Sequence, residues 1–194
     1  MFELLEHPDY IDRLRDEITQ TLGTGGWKKS SLYNLKLMDR VLKETLRVHV
    51  PDVATMSRIV QRPVPLSNGT VIPKGARVMV SLDRMHDPLV YPDADKWVGD
   101  RFYRMRQQPG GETKGQFVTT IPEHMGFGYG MRACPGRFFA ANEIKVALCF
   151  LLMNYDWKFS VQGRPLDLVF GTELVANPRG QVLVKRRPNR ICAM

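Results

Sequence analysis

Apolar residues recur at helical spacing along two stretches near the start of the chain. In residues 2–22, Leu14 and Ile18 share a face, with His7-Pro8 at the opening and Gly23 at the end, which predicts a helix. In residues 32–48, Leu35, Met38, Leu42 and Leu46 repeat at the same spacing, and Pro51 stops the pattern. Residues 24–30 between them are polar and carry glycines, as a loop does. Residues 53–64 and 71–80 read as strands. They are joined by Ser67-Asn68-Gly69-Thr70, where Asn-Gly predicts a hairpin turn with two positive-φ residues. Residues 83–87 read as a short helical turn. Residues 88–119 have no period and are rich in Pro, Gly, Asp and Arg, and so long an irregular stretch is uncommon unless it is functional. A helix follows over 136–154, with Phe139, Ile144, Ala147, Leu148 and Leu151 expected inward. The tail predicts strands at 166–169 and 181–185 around a loop at 171–179. The order predicts an α+β chain, mainly helical, with no internal repeat.

The stretch Phe127-Gly-Tyr-Gly-Met-Arg-Ala-Cys134-Pro-Gly-Arg-Phe-Phe-Ala-Ala changes this picture most. It places a cysteine in a glycine-rich loop directly before a long apolar helix. An axial thiolate to a heme iron needs that arrangement. The thiolate must stay ionised, and a helix N-terminus favours negative charge. As an axial ligand it pushes electron density toward O–O cleavage. Gly128, Gly130 and Gly136 let backbone approach a flat cofactor and adopt positive φ. Arg132 is placed to reach a heme propionate, and Phe127 to shield the sulfur. The bland alternative is a free cysteine in a turn.

The pattern F-x-x-G-x-R-x-C-x-G, over Phe127 to Gly136, resembles the heme-binding loop of the cytochrome P450 family, the heme-thiolate monooxygenases. Other segments occur in that family's order: Glu44-Thr-Leu-Arg47, Ile72-Pro-Lys-Gly-Ala, His86-Asp-Pro, Tyr91-Pro-Asp-Ala-Asp-Lys-Trp and Asp100-Arg101-Phe102. The resemblance covers about residues 2–185. An E-x-x-R alone is usually a solvated surface pair of little worth. The resemblance implies that Glu44 and Arg47 join Arg101 in a structural triad that pins the irregular stretch under the cysteine loop. It also implies heme b held by Cys134, with Phe127, Gly130, Arg132, Gly136 and Arg58 around it. Arg58 is expected either at a propionate or as a surface strand arginine, and His86 either near a propionate or as a cap. Residues 52–56 and 170–174 are expected to line a substrate pocket, or to pack as ordinary loops.

The family's members are over twice this length, so the 194 residues are expected to be the C-terminal, proximal-heme part of a truncated cytochrome P450 domain, with the N-terminal half absent. The distal helix that relays protons to dioxygen is not found here, and no other catalytic residue is identified. The implied activity is insertion of one oxygen atom of O2 into an apolar small molecule. Details such as Glu-His-Pro-Asp-Tyr-Ile-Asp-Arg-Leu-Arg look most like fungal members that oxidise secondary metabolites, often terpenoids. The alternative is an inactive remnant with at most heme-binding capacity. Electrons would come from NADPH through a flavoprotein reductase. The full-length form is expected at the endoplasmic reticulum membrane on the cytosolic face. This chain, read without an anchor, is expected in the cytoplasm.

Composition adds limits. At 43% hydrophobic and 25% charged the chain is ordinary for a globular protein. Its longest apolar run, residues 146–153, is too short to span a membrane. Cys134, Cys149 and Cys192 show no metal or disulfide spacing, and His7, His49 and His124 no ligand spacing. The net charge of +8 admits nucleic acid as a partner, but no nucleic-acid motif accompanies it. An acidic electron donor suits the charge better, and Arg132, Arg137, Lys145 and Lys114 are expected to form its basic surface, or else a scattered solvated set.

Overall fold

The computed structural model describes residues 1–107, 109, 114–160 and 164–188. Cys192 and the end of the basic tail at Arg190 lie outside the described residues. The first predicted helix is two. Pro8 lacks the amide that would continue the ladder, so α1 (Phe2–Glu6) ends at His7 and α2 (Asp9–Gly25) begins beyond it. α2 passes Gly23 and ends where Gly26, at φ 65, donates its amide to Leu22. The second predicted helix also divides. α3 (Lys29–Asn34) and α4 (Lys36–Val48) meet at Leu35. The Glu17 carboxylate of α2 accepts from the amides of Leu37 and Met38 at 2.6 and 2.9 Å, satisfying the orphan donors of the new N-terminus.

The two predicted strands become four short ones. β1 (Ala54–Ile59) pairs antiparallel with β4 (Arg77–Ser81), and β2 (Val64–Pro65) with β3 (Val71–Ile72) inside them. Gly69 turns at φ 84, but Asn68 does not share a positive φ. Its Oδ1 instead accepts from the Thr70 amide at 3.0 Å, an Asx-type turn rather than the two-residue hairpin expected. Residues 83–86 form the expected short turn. The stretch read as irregular contains α5 (Arg101–Arg106). α6 (Arg137–Asn154) runs straight into β5 (Tyr155–Phe159), a strand not predicted, which pairs with β8 (Val182–Arg186). β6 (Leu168–Phe170) and β7 (Glu173–Val175) form a hairpin over Gly171.

The main core joins α2, α3, α4 and α6 through Leu14, Ile18, Leu22, Leu35, Met38, Val41, Cys149 and Leu152. The inward face predicted for α6 holds only in part: Leu148 packs against this core and Leu151 is half-buried. Ala141, Lys145, Cys149 and Leu152 face the core, whereas Phe139 is 72% exposed and Ile144 and Ala147 also face solvent. Apolar residues surround this helix, so periodicity does not choose a face.

Candidate functional site

α4 organises the site with its charged residues. Arg47 is fully buried and forks onto Glu44: Nε donates to Oε2 and Nη2 to Oε1, both at 2.9 Å. Its remaining N–H groups donate to the carbonyls of Met85, Ala94 and Lys96. Arg101 comes from α5 and donates through Nε to Glu44 Oε1 at 3.0 Å, and to the carbonyls of Pro92, Asp93 and Lys96. The amide of Val98 also donates to Glu44 Oε1. The structure therefore brings Glu44, Arg47 and Arg101 together, and a single buried carboxylate gathers two guanidiniums that hold the chain from Met85 to Val98. Each donor is charge-assisted and planar, which a lysine cannot match.

Three neighbours of this triad were not singled out from the sequence. Lys43 is fully buried and donates to the carbonyls of Gln116 and Thr119 at 2.7 and 2.8 Å. Burial pushes its amine down to about 7, with Asp39 opposing weakly. His124 is buried and donates through Nε2 to the Lys43 carbonyl. Burial, with Lys43 beside it, holds its imidazole down to about 3, so it stays neutral. Asp39 accepts from the Phe117 amide with one oxygen and from Lys145 with the other, at 2.8 and 2.6 Å. Lys43 next to Glu44 in the motif was the one visible signal for this set.

These contacts seat the segment that leads into the cysteine loop. Phe117 meets Phe127 edge to face at 5.3 Å. The loop then closes on itself. The Gly128 amide donates to Met125, the Cys134 amide to Phe127 at 2.8 Å, and the Ala133 amide to Gly130. Gly128 and Gly130 sit at φ 73 and 69, where a side chain is strained. Gly136 differs from expectation: its φ is −80, a right-handed conformation open to any residue. Arg137, the first residue of α6, ties the loop down by donating to the carbonyls of Cys134 and Val118. Cys134 itself is exposed, with a free thiol.

Arg132 is exposed and has no hydrogen bond or ion pair with the described residues, so it is available to an anion. Arg58 is exposed on β1 and donates only to the neighbouring Ser57 carbonyl. β1 lies against the loop, because a Cβ at Gly128 would come within 3.9 Å of Met56. Met56 occupies φ 54 at the bulge of β1, an uncommon conformation for a non-glycine residue. His86 is exposed, and burial of part of its ring together with Arg47 lowers its pKa. The segments expected to line a pocket do meet. The Val53 amide donates to Thr172, and the Leu174 amide to Pro51, both at 2.8 Å.

The basic surface is not as expected. Lys145 is buried and paired with Asp39, and Arg137 is spent on loop carbonyls. Only Arg132 and Lys114 of the four are exposed. Lys145 looked like a surface charge because it follows Ile144, and α6 has turned the opposite face outward.

The family model for cytochrome P450 matches residues 1–185. The chain belongs to the cytochrome P450 family. Among curated relatives it is 46% identical over 192 residues to cytochrome P450 monooxygenase 1 of Gibberella fujikuroi, covering 98% of this chain and 43% of that protein. It is 47% identical over 191 residues to cytochrome P450 monooxygenase esdpI of Penicillium shearii, covering 98% of this chain and 37% of the relative. A retinoic acid-bound cyanobacterial CYP120A1 superposes with a TM-score of 0.74 at 25% identity, over 95% of this chain and 40% of that one. The chain thus spans about two fifths of the length of the relatives it matches, and its fold is part of the P450 fold.

P450 enzymes are oxidoreductases that carry heme on a cysteine thiolate and draw electrons from a reductase. The residues of this loop fit that group. A Cβ on Gly130 or Gly136 would meet no protein atom within 4 Å, so both glycines border open space beside the thiol. Two exposed arginines, Arg132 and Arg58, lie on the loop and on the strand packed against it.

Proposed function

We propose that Cys134 is the axial ligand of a heme b and that the parent enzyme inserts one oxygen atom of O2 into an apolar small molecule, a fungal secondary metabolite such as a terpenoid. The observation that carries this reading is the loop: an exposed thiol that follows two glycines held at positive φ and directly precedes α6. When bound, heme supplies the oxygen activation. The protein's own residues do the rest. Glu44, Arg47 and Arg101 hold the irregular stretch rigid, Lys43 and Asp39 seat the segment before Phe127, and Arg137 anchors the loop by its carbonyl. Phe127 covers the loop on the Phe117 side, and Arg58 and Arg132 take the propionates. Residues 52–56 and 170–174, joined by backbone hydrogen bonds, form one wall of the substrate pocket.

NADPH-derived electrons arrive from a flavoprotein reductase, and the full-length form works at the endoplasmic reticulum membrane. Membership of the P450 family supports the reductase as electron donor. Among the described residues no helix is long and apolar enough to cross a membrane.

A second reading has the 194 residues acting alone as a catalytically inactive heme-binding remnant. The outer face of α6 bears against it: Phe139, Ala147 and Phe150 line an open apolar groove that no other described element covers, a surface suited to a packing partner. Carbon monoxide difference spectroscopy tests the ligand. Heme-loaded, reduced protein is expected to show the red-shifted band of a thiolate-ligated heme, and Cys134→Ala to lose it. An unchanged band in that variant removes Cys134 from the assignment. Coding sequence in frame upstream of Met1 supports the monooxygenase, and stop codons there support the remnant.

A further inference from the structure

A second charged cluster lies at the junction of α1, the end of α4 and the segment before β6. Glu3 is buried, with Oε1 2.5 Å from Arg164 Nη1 and 2.5 Å from His49 Nε2. Arg164 also donates through Nη2 to Asp167 Oδ2 at 2.9 Å. The His49 ring sits among all three. Its Nε2 is 2.6 Å from Arg164 Nη1, and its Nδ1 is 3.1 Å from Arg164 Nη2 and 3.5 Å from Asp167 Oδ2. Each ring nitrogen therefore faces one donor and one acceptor. As a lone pair it accepts from Arg164, and as an N–H it donates to a carboxylate, but it does not do both.

Charge counting shows the same thing from another side. Glu3 and Asp167 carry two negative charges and Arg164 one positive charge, so with neutral His49 the cluster is one positive charge short. Asp167 Oδ1 is buried without a hydrogen-bond partner, an acceptor with no donor beside two filled ones. One added proton on His49 answers the charge deficit and gives the Asp167 carboxylate a second donor. The ring reaches water, because the His49 side chain is 27% exposed in a cleft also lined by Glu6, His7, Asp95 and Trp97.

We propose that Glu3, His49, Arg164 and Asp167 form a proton-operated clasp, in which protonation of His49 moves its hydrogen bonds from Arg164 to the two carboxylates. An imidazolium cannot keep a guanidinium at hydrogen-bond distance, so Arg164 must move away from the ring. Arg164 then loosens from the end of α4, while Asp167 and α1 are held to it more tightly. The movement has a route to the β6–β7 hairpin. Asp167 directly precedes β6, and β7 is tied to the residues after His49 by the Leu174–Pro51 and Val53–Thr172 hydrogen bonds. The clasp stands apart from the heme reading, since none of its members touches the cysteine loop.

Other charged groups face this cluster and enter the test. His7 lies 3.6 Å from Glu3, and the Met1 amino group faces Glu3 and Arg164. Glu6 and Asp95 line the cleft, and His86 and the neighbouring Arg47 lie within electrostatic reach of one another and of His49. The background for the experiment is therefore the full chain with His7→Gln and His86→Gln. His124 remains buried and neutral throughout. Isotope-labelled protein is titrated by NMR from about pH 5 to about pH 8, the interval in which imidazoles change charge. His49 ring nitrogens and the amides of Leu166, Asp167 and Leu174 are expected to follow one common transition. His49→Gln should abolish it at those amides. Arg164→Gln removes the competing cation and should move the transition up by about half a pH unit or more. The clasp is overturned if the three amides titrate unchanged in His49→Gln, or if they stay still in the parent while His49 titrates. Should His49→Gln fail to fold, Arg164→Gln decides alone, and an unmoved midpoint overturns the proposal.

Discussion

Replacing Arg47 by lysine keeps the charge on α4 and removes only the planar fork. Arg47 makes five hydrogen bonds while fully buried: two to Glu44 and one each to the carbonyls of Met85, Ala94 and Lys96. A lysine ammonium has three donors at a single point, so at least two of these bonds are lost, and of the five acceptors only Glu44 Oε1 and the Lys96 carbonyl keep Arg101 as a donor. Each buried, unsatisfied acceptor costs about 1–3 kcal/mol. Glu44 also loses its bidentate partner, and a broken buried pair costs about 3–5 kcal/mol. The two estimates describe the same loss and agree, so Arg47→Lys should destabilise the chain by about 3–5 kcal/mol. Against a typical stability of about 5–15 kcal/mol that is a large fraction. Urea unfolding followed by tryptophan fluorescence measures it. Trp97 is well placed as a reporter, since its indole N–H donates to Thr45 on the same helix. Arg101→Lys should cost less, because Arg101 is 8% exposed and makes one bond to Glu44 rather than two. Combined with Glu44→Gln, the two arginine changes should be non-additive. A loss below about 1 kcal/mol for Arg47→Lys, the size of an exposed pair, would refute the claim that the fork holds the chain from Met85 to Val98.

Lys43 makes stability depend on pH. Its folded pKa is about 7 because of burial, against about 10.4 for a free lysine. Between those values the unfolded chain holds a proton that the folded chain has lost, so stability should rise with pH by up to about 1.4 kcal/mol per unit. Lys43→Met should remove that rise, and equal slopes in both proteins would contradict it. Gly136→Ala should leave the stability of the heme-free chain nearly unchanged, because φ is −80 and no protein atom lies within 4 Å of the new Cβ. The same change should weaken heme uptake measured by Soret titration, and undiminished uptake would mean that the cofactor does not approach Gly136. Gly126→Ala is the contrasting case. Its Cβ would lie 2.7 Å from Leu46 Cδ2, an overpacked contact expected to cost about 1–3 kcal/mol in the same urea assay.

Much of the site was legible because its parts are local. The cysteine loop carries its glycines, arginine and phenylalanine within ten positions, and two of those glycines do sit at positive φ. The E-x-x-R spacing put Glu44 and Arg47 on one helical face by helix geometry alone. What failed was long-range. Lys145 read as a surface charge, and it is buried because Asp39, more than a hundred residues earlier, waits opposite. Glu17 caps a helix on another element, so the break at Leu35 had no local sign. β5 went unseen because it follows α6 with no intervening turn residue, and its pairing with β8 is made across the β6–β7 hairpin.

Periodicity, proline and glycine placement, and one dense motif thus determined by themselves the family and where most of the helical segments fall. Those signals act within a few turns of chain, where backbone geometry leaves little choice. Only the tertiary structure decided which face of α6 turns inward, which charges are buried, and which segments share the Glu3–His49–Arg164–Asp167 cluster. Those outcomes depend on partners distant in sequence: a charge can be buried only where its counterion or carbonyl acceptors arrive from another element, and no short window of sequence contains both.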